Sequence, residues 1–400
     1  MVFFSNVQNA PSDPILGLNE TYSADSRTNK VNLGIGVYCD ENGKIPLFDA
    51  VKQAEQHLAQ NLGSKAYLPI DGLDGFNRAT CDLLFGADSV LREQGRVRCL
   101  QTIGASGALR VGSALLRCFL PEAQVYVSAP TWENHCAIFE ASGFQIASYR
   151  YYDQTTHGVD FTGMIEDLSN ARRGSVLLLH ACCHNPTGAD LTHLQWKALA
   201  ELIKEKQLFP FLDLAYQGFD KDPDMDAFAV RMLAEAGVDT YFVANSYSKS
   251  FALYGERVGG LSIVTPAPAQ TAAVVSHAKR IIRSMYSNPP VHGARIVSHI
   301  LHSRELNALW RKELADICAR MHNLRKMLCD SLEKLQCTQY AFMQNQTGMF
   351  AYSSLSKEQV QHLRTQYAIY VIDNGRVCVA GLNQKNLSYV AQAIASMHSA

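Results

Sequence analysis

No stretch of this 400-residue chain stays apolar for the roughly 20 residues needed to cross a bilayer. The opening MVFFSNVQNAPSDPI has no basic flank and no sustained apolar run, so no signal peptide is expected there. The first arginine is Arg27, which speaks against an arginine-rich organelle transit segment. An excess of one charge is missing too: 36 Lys and Arg face 37 Asp and Glu, a formal net charge of −1. That balance argues against a chain built to grip nucleic acid or an anionic membrane. Eleven cysteines make an odd count without framework spacing. With no secretory signal, they predict reduced thiols in a cytoplasmic protein. Internal repeats and low-complexity tracts are also lacking.

Hydrophobic residues, at 47%, far outnumber the 18% that are charged, so the chain is globular. A prior of roughly 100–200 residues per domain gives two to three domains, or one large domain with a smaller partner. Short apolar runs alternate with helical periodicity. The buried-strand candidates are QVYVSA (124–129), SVLLLH (175–180), LFPFLD (208–213), TYFVAN (240–245) and VGGLSIV (258–264). Helix patterns such as 191–205 and 271–284 lie between them, which predicts an α/β fold with a mostly parallel sheet flanked by helices. Leu306, Trp310, Leu314, Ile317, Met321, Leu324, Leu328, Leu332 and Leu335 then form one apolar stripe. It extends over about eight turns, long enough for a helix that bridges two domains. Strand-like runs at 348–353, 368–372 and 376–380 and a terminal helix follow. This reading divides the chain into an N-terminal arm (1–13), a small α+β domain (14–45 with 321–400) and a large domain (46–320).

Open parallel sheets bind ligands at the carboxyl ends of their strands. The predicted strands deliver Asp213 and Tyr216, then Ser246, Ser248 and Lys249, then His184 and Asn185, then Trp132 and His135 to that edge. Each alone reads as a cap, a core side chain or a solvated one; their convergence points to a site. Gly104-Ala105-Ser106-Gly107 precedes a helix pattern beginning near Ala108. Its amides suit an anion, though Ser106 serves equally as a helix cap. A hydrolase elbow G-x-S-x-G is not met, because position 108 is Ala, and no His/Asp partner segment supports Ser106 as a nucleophile. The dinucleotide fingerprint fails at Cys39 after Gly34-Ile35-Gly36. His180, Cys182, Cys183 and His184 have metal-binding residue types, but they follow a strand and share no helix face. No metal is expected.

At SYSKSFALYGERVGG the residues reach a recognisable pattern. Ser246-x-Ser248-Lys249, with Arg257 eight residues on, resembles the pyridoxal phosphate (PLP) lysine segment of the aspartate aminotransferase family, fold type I, class I. The resemblance runs from about Asn32 to Gly381 through NLGIGVY, YLPIDG, GASGALR, PTWENH, CCHNPTG, DLAYQGF, YSNPP, GMF and NGRVCVAG. It is strongest to the aspartate/aromatic subgroup. It implies a transaminase exchanging amino groups between aspartate, and aromatic amino acids as further candidates, and 2-oxoglutarate by a ping-pong route. The large domain would be the PLP-binding one.

Residue by residue, the resemblance implies that Lys249 holds PLP covalently and moves the α-proton, a role for which burial and nearby cations lower an amine's pKa. It assigns Arg257, Ser246, Ser106 and the Ala105 amide to the phosphate, with Tyr67 reaching it from the other subunit. Asp213 would face the pyridine nitrogen, supported by His135. Asn185 and Tyr216 would donate to the ring oxygen, and Trp132 would stack on the ring. Arg376, with Asn185 and the Gly36 backbone, would take the substrate α-carboxylate. Arg283 would reach the second carboxylate from the neighbouring subunit, in a homodimer with shared sites; on its own, beside Lys279 and Arg280, it reads as a solvated face. The sequence departs from the family at Ala105 (commonly Gly), Ser106 (Thr), Gly255 (Asn) and Asn374 (Ser), which bears on how large a side chain is accepted. The resemblance also implies a cis Asn185–Pro186 bond. Two other readings compete: another PLP reaction type, which has little use for Arg283, and a silent interaction protein, which has no need of Lys249, Asp213 and Arg376 together.

Overall fold

The computed structural model describes residues 3–397. The chain divides into two compact units, Met1–Lys44 with Leu324–Gln344 and Phe350–Ala400, and Ile45–Asn323 with Asn345–Met349.

The larger unit is built on a seven-stranded sheet: β1 (Val97–Ile103), β2 (Gln124–Ala129), β3 (Gln145–Arg150), β4 (Val176–His180), β5 (Phe209–Leu214), β6 (Tyr241–Ser246) and β7 (Val258–Val264). The spatial order is β1-β7-β6-β5-β4-β2-β3. Only β7 runs antiparallel to its neighbours; the other pairings are parallel. The central strands β4 to β7 are almost wholly buried, which is why they read as continuous apolar runs. The two strands that the sequence pattern did not single out, β1 and β3, are the sheet's edges. There Arg98, Gln145, Ser148 and Arg150 face outward and break the apolar signature. Helix α1 (Gly104–Phe119) crosses the sheet, burying Leu109, Leu115 and Leu116 against Val125, Phe211 and Leu261.

Helix boundaries follow local chemistry. The helix expected from Leu191 begins at His193, because Thr192 caps it and pairs with Gln195 in a reciprocal capping box. The helix α2 (Pro268–Met285) starts three residues before its apolar pattern, with Pro268 in the first turn. The long stripe becomes α3 (Arg304–Lys334), burying Trp310, Leu314, Met321, Leu324, Leu328 and Leu332; Leu335 lies past its end and is exposed.

In the smaller unit, Val31–Asn32 pairs in parallel with Ile369–Tyr370, and Phe350–Tyr352 pairs antiparallel with Arg376–Cys378. The expected strand at 376–380 is cut short by a 3-10 turn, Val379–Gly381. Its core gathers Leu33, Leu328, Leu332, Val360, Leu363, Val377 and Ile394. Among the described residues, no helix is long and apolar enough to cross a membrane.

Candidate active site

The carboxyl ends of β4, β5 and β6 set the site, because parallel pairing brings their last residues into register: His180 faces Asp213, and Asp213 faces Ala244. Asp213 is buried. Oδ2 receives a hydrogen bond from His135 Nε2 at 2.9 Å, and His135 Nδ1 pairs with Thr131 Oγ1 at 2.9 Å. Oδ1 is buried and has no hydrogen-bond partner among the described residues. Burial by itself would push this carboxyl up. The His135 hydrogen bond and the electrostatic influence of His135, His180 and Lys249 outweigh it and hold Asp213 below the usual carboxylate range. Trp132 meets the His135 ring edge-on at 5.3 Å.

Lys249 follows β6, and its neighbours fix it. Tyr247 is buried, its hydroxyl 2.9 Å from Thr80 Oγ1. Trp310 Nε1 donates to the Ser250 carbonyl at 2.7 Å, and Phe251 stacks on the Trp310 ring. Lys249 Nζ lies 4.7 Å from the centre of the Tyr216 ring. Asn185 is buried next to the cis Asn185–Pro186 bond. The preceding turn is pinned by Asp190, which accepts from the Cys183 and His184 amides at 2.7 and 2.8 Å.

The anion-binding features converge at the start of α1. The helix begins at Gly104, four residues before its apolar pattern, so Ala105 and Ser106 belong to its first turn. Ser106 is therefore not the cap; Ile103 occupies that position and supplies no side-chain bond. The first-turn amides keep their donor capacity. Arg257 sits directly against this end: a Cβ on Gly104 would lie 2.6 Å from its guanidinium, and Gly104 has φ +73°. Arg257 Nη1 donates to Ser248 Oγ (3.2 Å) and to the Tyr254 carbonyl (3.1 Å). A guanidinium beside a helix's positive pole suits an anion.

Two other predicted residues of the larger unit are exposed. Tyr67 is 91% exposed. Arg283 projects from the last turn of α2 into solvent and donates to Ser287 Oγ. Within the smaller unit, Arg376 is buried, donates to the Gly34 carbonyl at 2.6 Å and stacks 4.0 Å above the Phe350 ring. Gly36 packs on the same ring, where a Cβ would come within 2.9 Å. Sequence reasoning gave no role to Thr131, His180 or Phe350. His180 lay in view at a strand end, among the metal-type residues, but only the fold puts its ring 5.0 Å from His135.

The sequence profile of the family "Aminotransferase class I and II" matches residues 28–394. The chain belongs to this aminotransferase family. It is 47% identical to an aspartate aminotransferase of Pseudomonas aeruginosa over 98% of this chain and 99% of that one. It is 45% identical to an aromatic-amino-acid aminotransferase of Escherichia coli, over 98% and 100%. Among solved structures, an aromatic-amino-acid aminotransferase from Burkholderia pseudomallei, covalently bound to pyridoxal phosphate, superposes with a TM-score of 0.96 at 47% identity, covering 99% of each chain. The fold is therefore that of PLP-dependent aminotransferases.

Proposed function

We propose that this aminotransferase uses PLP to move the amino group between aspartate and 2-oxoglutarate, and that it accepts aromatic amino acids as well. The observation that carries the cofactor is Asp213: a carboxylate held ionised in a buried position, with one oxygen left over for a cationic ring nitrogen. Gly104, the first-turn amides of Ala105 and Ser106, Ser246 and Arg257 suit the phosphate, with Tyr67 added from a second copy of the chain. Asn185 and Tyr216 suit the ring oxygen, Trp132 the ring face and Lys249 the covalent attachment. The aromatic reading is supported by similar identity to relatives carrying both names, 47% to one and 45% to the other.

When bound, PLP supplies an electron sink next to the substrate's α-carbon. Asp213 keeps the ring nitrogen protonated, and His135 holds the carboxylate in place. Lys249 Nζ would take the proton from the substrate α-carbon and pass it to the cofactor in one half-reaction, and carry one the opposite way in the other, so a single positioned amine serves both halves of a ping-pong cycle. Arg376 pairs with the α-carboxylate, where a planar fork matches a carboxylate bidentately; Gly36 leaves backbone room beside it. Arg283 receives the second carboxylate in the neighbouring subunit's site, an assignment supported by its exposure and that of Tyr67 within one chain. A symmetric dimer with two shared sites follows.

Half-reactions with single donors test this reading. Purified enzyme loaded with PLP is mixed with aspartate, glutamate, tyrosine or phenylalanine, and the cofactor spectrum is followed. Conversion by aspartate and glutamate is expected, with aromatic donors measurable. No change with any dicarboxylic donor would sink the proposal.

A further inference from the structure

The run from His180 to His184 carries two histidines and two cysteines, and the fold places His180 in one cluster and the two cysteines in another. His135, His180 and Asp213 bring ligand atoms within 4.8 Å of one another, but Asp213 and His135 belong to the cofactor site proposed above. The thiols belong to a second cluster. Cys182 Sγ, Cys183 Sγ and a carboxylate oxygen of Asp226 also lie within 4.8 Å of one another, and all three residues are buried. Consecutive side chains of an extended chain point to opposite faces. Cys183 escapes that rule because its φ is +50°, in the left-handed region, so neighbouring thiols reach one carboxylate. The carboxylate is itself oriented: Asp226 Oδ2 accepts from the amides of Gly218 (2.7 Å) and Asp220 (3.1 Å) and Oδ1 from that of Lys221 (3.1 Å), which leaves one lone pair on Oδ1 to offer.

Buried cysteines often serve only as small apolar fillers. Here both lie close to a carboxylate, and Cys182 and Asp226 line a pocket of about 300 Å³ together with Asp190, His193, Asp220 and Lys221. Two sulfur donors and one carboxylate select a thiophilic cation over calcium or magnesium, which prefer oxygen-only shells. Three protein ligands leave a fourth tetrahedral position open.

We propose that Cys182, Cys183 and Asp226 form a binding site for a thiophilic divalent cation of the zinc type. Binding forms two metal–sulfur bonds and one metal–oxygen bond and releases one proton from each thiol, together with the proton of Asp226 wherever it is still held, since burial pushes that carboxyl up to about 7; affinity therefore rises with pH. The site lies behind the proposed cofactor residues. Cys183 Sγ contacts the Tyr216 carbonyl at 3.9 Å, and Asn185 is two residues further along the chain. Occupancy ties these two loops together and raises thermal stability.

The test uses the PLP-loaded enzyme after chelator treatment, titrated with cadmium as the probe and then competed with zinc. Thiolate-to-cadmium ultraviolet absorption and equilibrium dialysis read the binding. One cadmium per chain is expected at micromolar concentration, with a rise in Tm. Cys182→Ser and Asp226→Asn should each weaken it by at least about tenfold, since even residues behind a metal's ligands cost that much. Cys118→Ser, which removes an exposed thiol, should leave it unchanged. Near-ultraviolet circular dichroism verifies that each variant is folded; should Asp226→Asn fail that check, Cys182→Ser decides. Stoichiometric binding that persists in a folded Cys182→Ser variant, or no binding by the wild type, overturns the proposal.

Discussion

His135 Nε2 donates to Asp213 Oδ2 across 2.9 Å, while Oδ1 of the same carboxylate stays buried without a hydrogen-bond partner among the described residues. The two oxygens thus divide the work. One fixes the group against the fold through His135 and Thr131; the other is presented at the carboxyl edge of the sheet, where Lys249 and Tyr216 also stand.

Asp213→Asn keeps the shape and removes the charge. Breaking a buried charge pair costs about 3–5 kcal/mol, or roughly two to four orders of magnitude in rate. Single-turnover kinetics with aspartate should show a loss of that size. His135→Asn removes only a charge-assisted hydrogen bond, worth about 1.5–3 kcal/mol, and should fall between the wild type and Asp213→Asn. A His135→Asn loss as deep as that of Asp213→Asn would mean the histidine does more than position the carboxylate.

Gly104→Ala tests the anion end. Its Cβ would meet the Arg257 guanidinium at 2.6 Å, and φ +73° costs an L-residue about 1–2 kcal/mol. Arg257 must move, so PLP should dissociate more readily, as measured by dialysis and return of cofactor. Unchanged PLP retention would show that the phosphate is held elsewhere.

Much of this was legible in the sequence, and the failures have physical reasons. The strands β4 to β7 announced themselves because both faces are buried, whereas β1 and β3 hid behind edge polarity at Arg98 and Arg150. Lys249, Asp213 and Asn185 were visible as chemistry-bearing groups at strand ends. His180 was visible only as a residue type, since its proximity to His135 comes from separate elements, β4 and the helix Glu133–Glu140. The start of α1 was misplaced because Gly104 to Gly107 lack an apolar pattern, yet Gly107 is already buried against Ile103. Cys182 and Cys183 gave no sign of Asp226, more than 40 positions later in the chain.

Acid should unfold the protein through its buried imidazoles. Burial first, and then the charge of His135, lowers His180 to about 3, whereas an unfolded histidine titrates near 6.5. His184 is also pushed well down by burial and by His180 and His135, its ring nitrogens committed to Ser128 and Thr187. Between about pH 6.5 and 3 the unfolded chain binds protons that the folded chain refuses, so stability falls as pH drops through that window. Each such histidine contributes a slope of about 1.4 kcal/mol per pH unit. Urea midpoints measured across this range should be flatter in His180→Asn by about one proton's slope; an unchanged slope would mean His180 is protonated in the folded state.

Arg283→Leu should divide the substrates. A buried carboxylate left without its cation costs about 3–5 kcal/mol, so kcat/KM for aspartate should fall by two orders of magnitude or more. An aromatic ring never had that partner, and phenylalanine should lose little. Equal losses on both would show that Arg283, which is also bonded to Ser287, acts structurally.

The shared-site dimer makes the most demanding prediction, because it tests assembly through chemistry. In the dimer proposed above, Lys249 would serve the site of its own chain, and Arg283 and Tyr67 the neighbour's. Lys249→Ala and Arg283→Leu are therefore two chains defective for different reasons, and each homodimer should be nearly inactive on aspartate. In a mixed dimer, one site receives the lysine defect from its own chain and the arginine defect from the other, so it carries both. The second site receives Lys249 from the Arg283→Leu chain and Arg283 from the Lys249→Ala chain, so it is intact. Differently tagged chains, refolded together and separated, should recover about half of the wild-type activity if the two sites act independently. Borohydride reduction should attach the cofactor to only one chain of the hybrid, the one that keeps Lys249. Hybrids of verified composition that stay as inactive as the parents would place Arg283 in its own subunit's site, or remove the dimer.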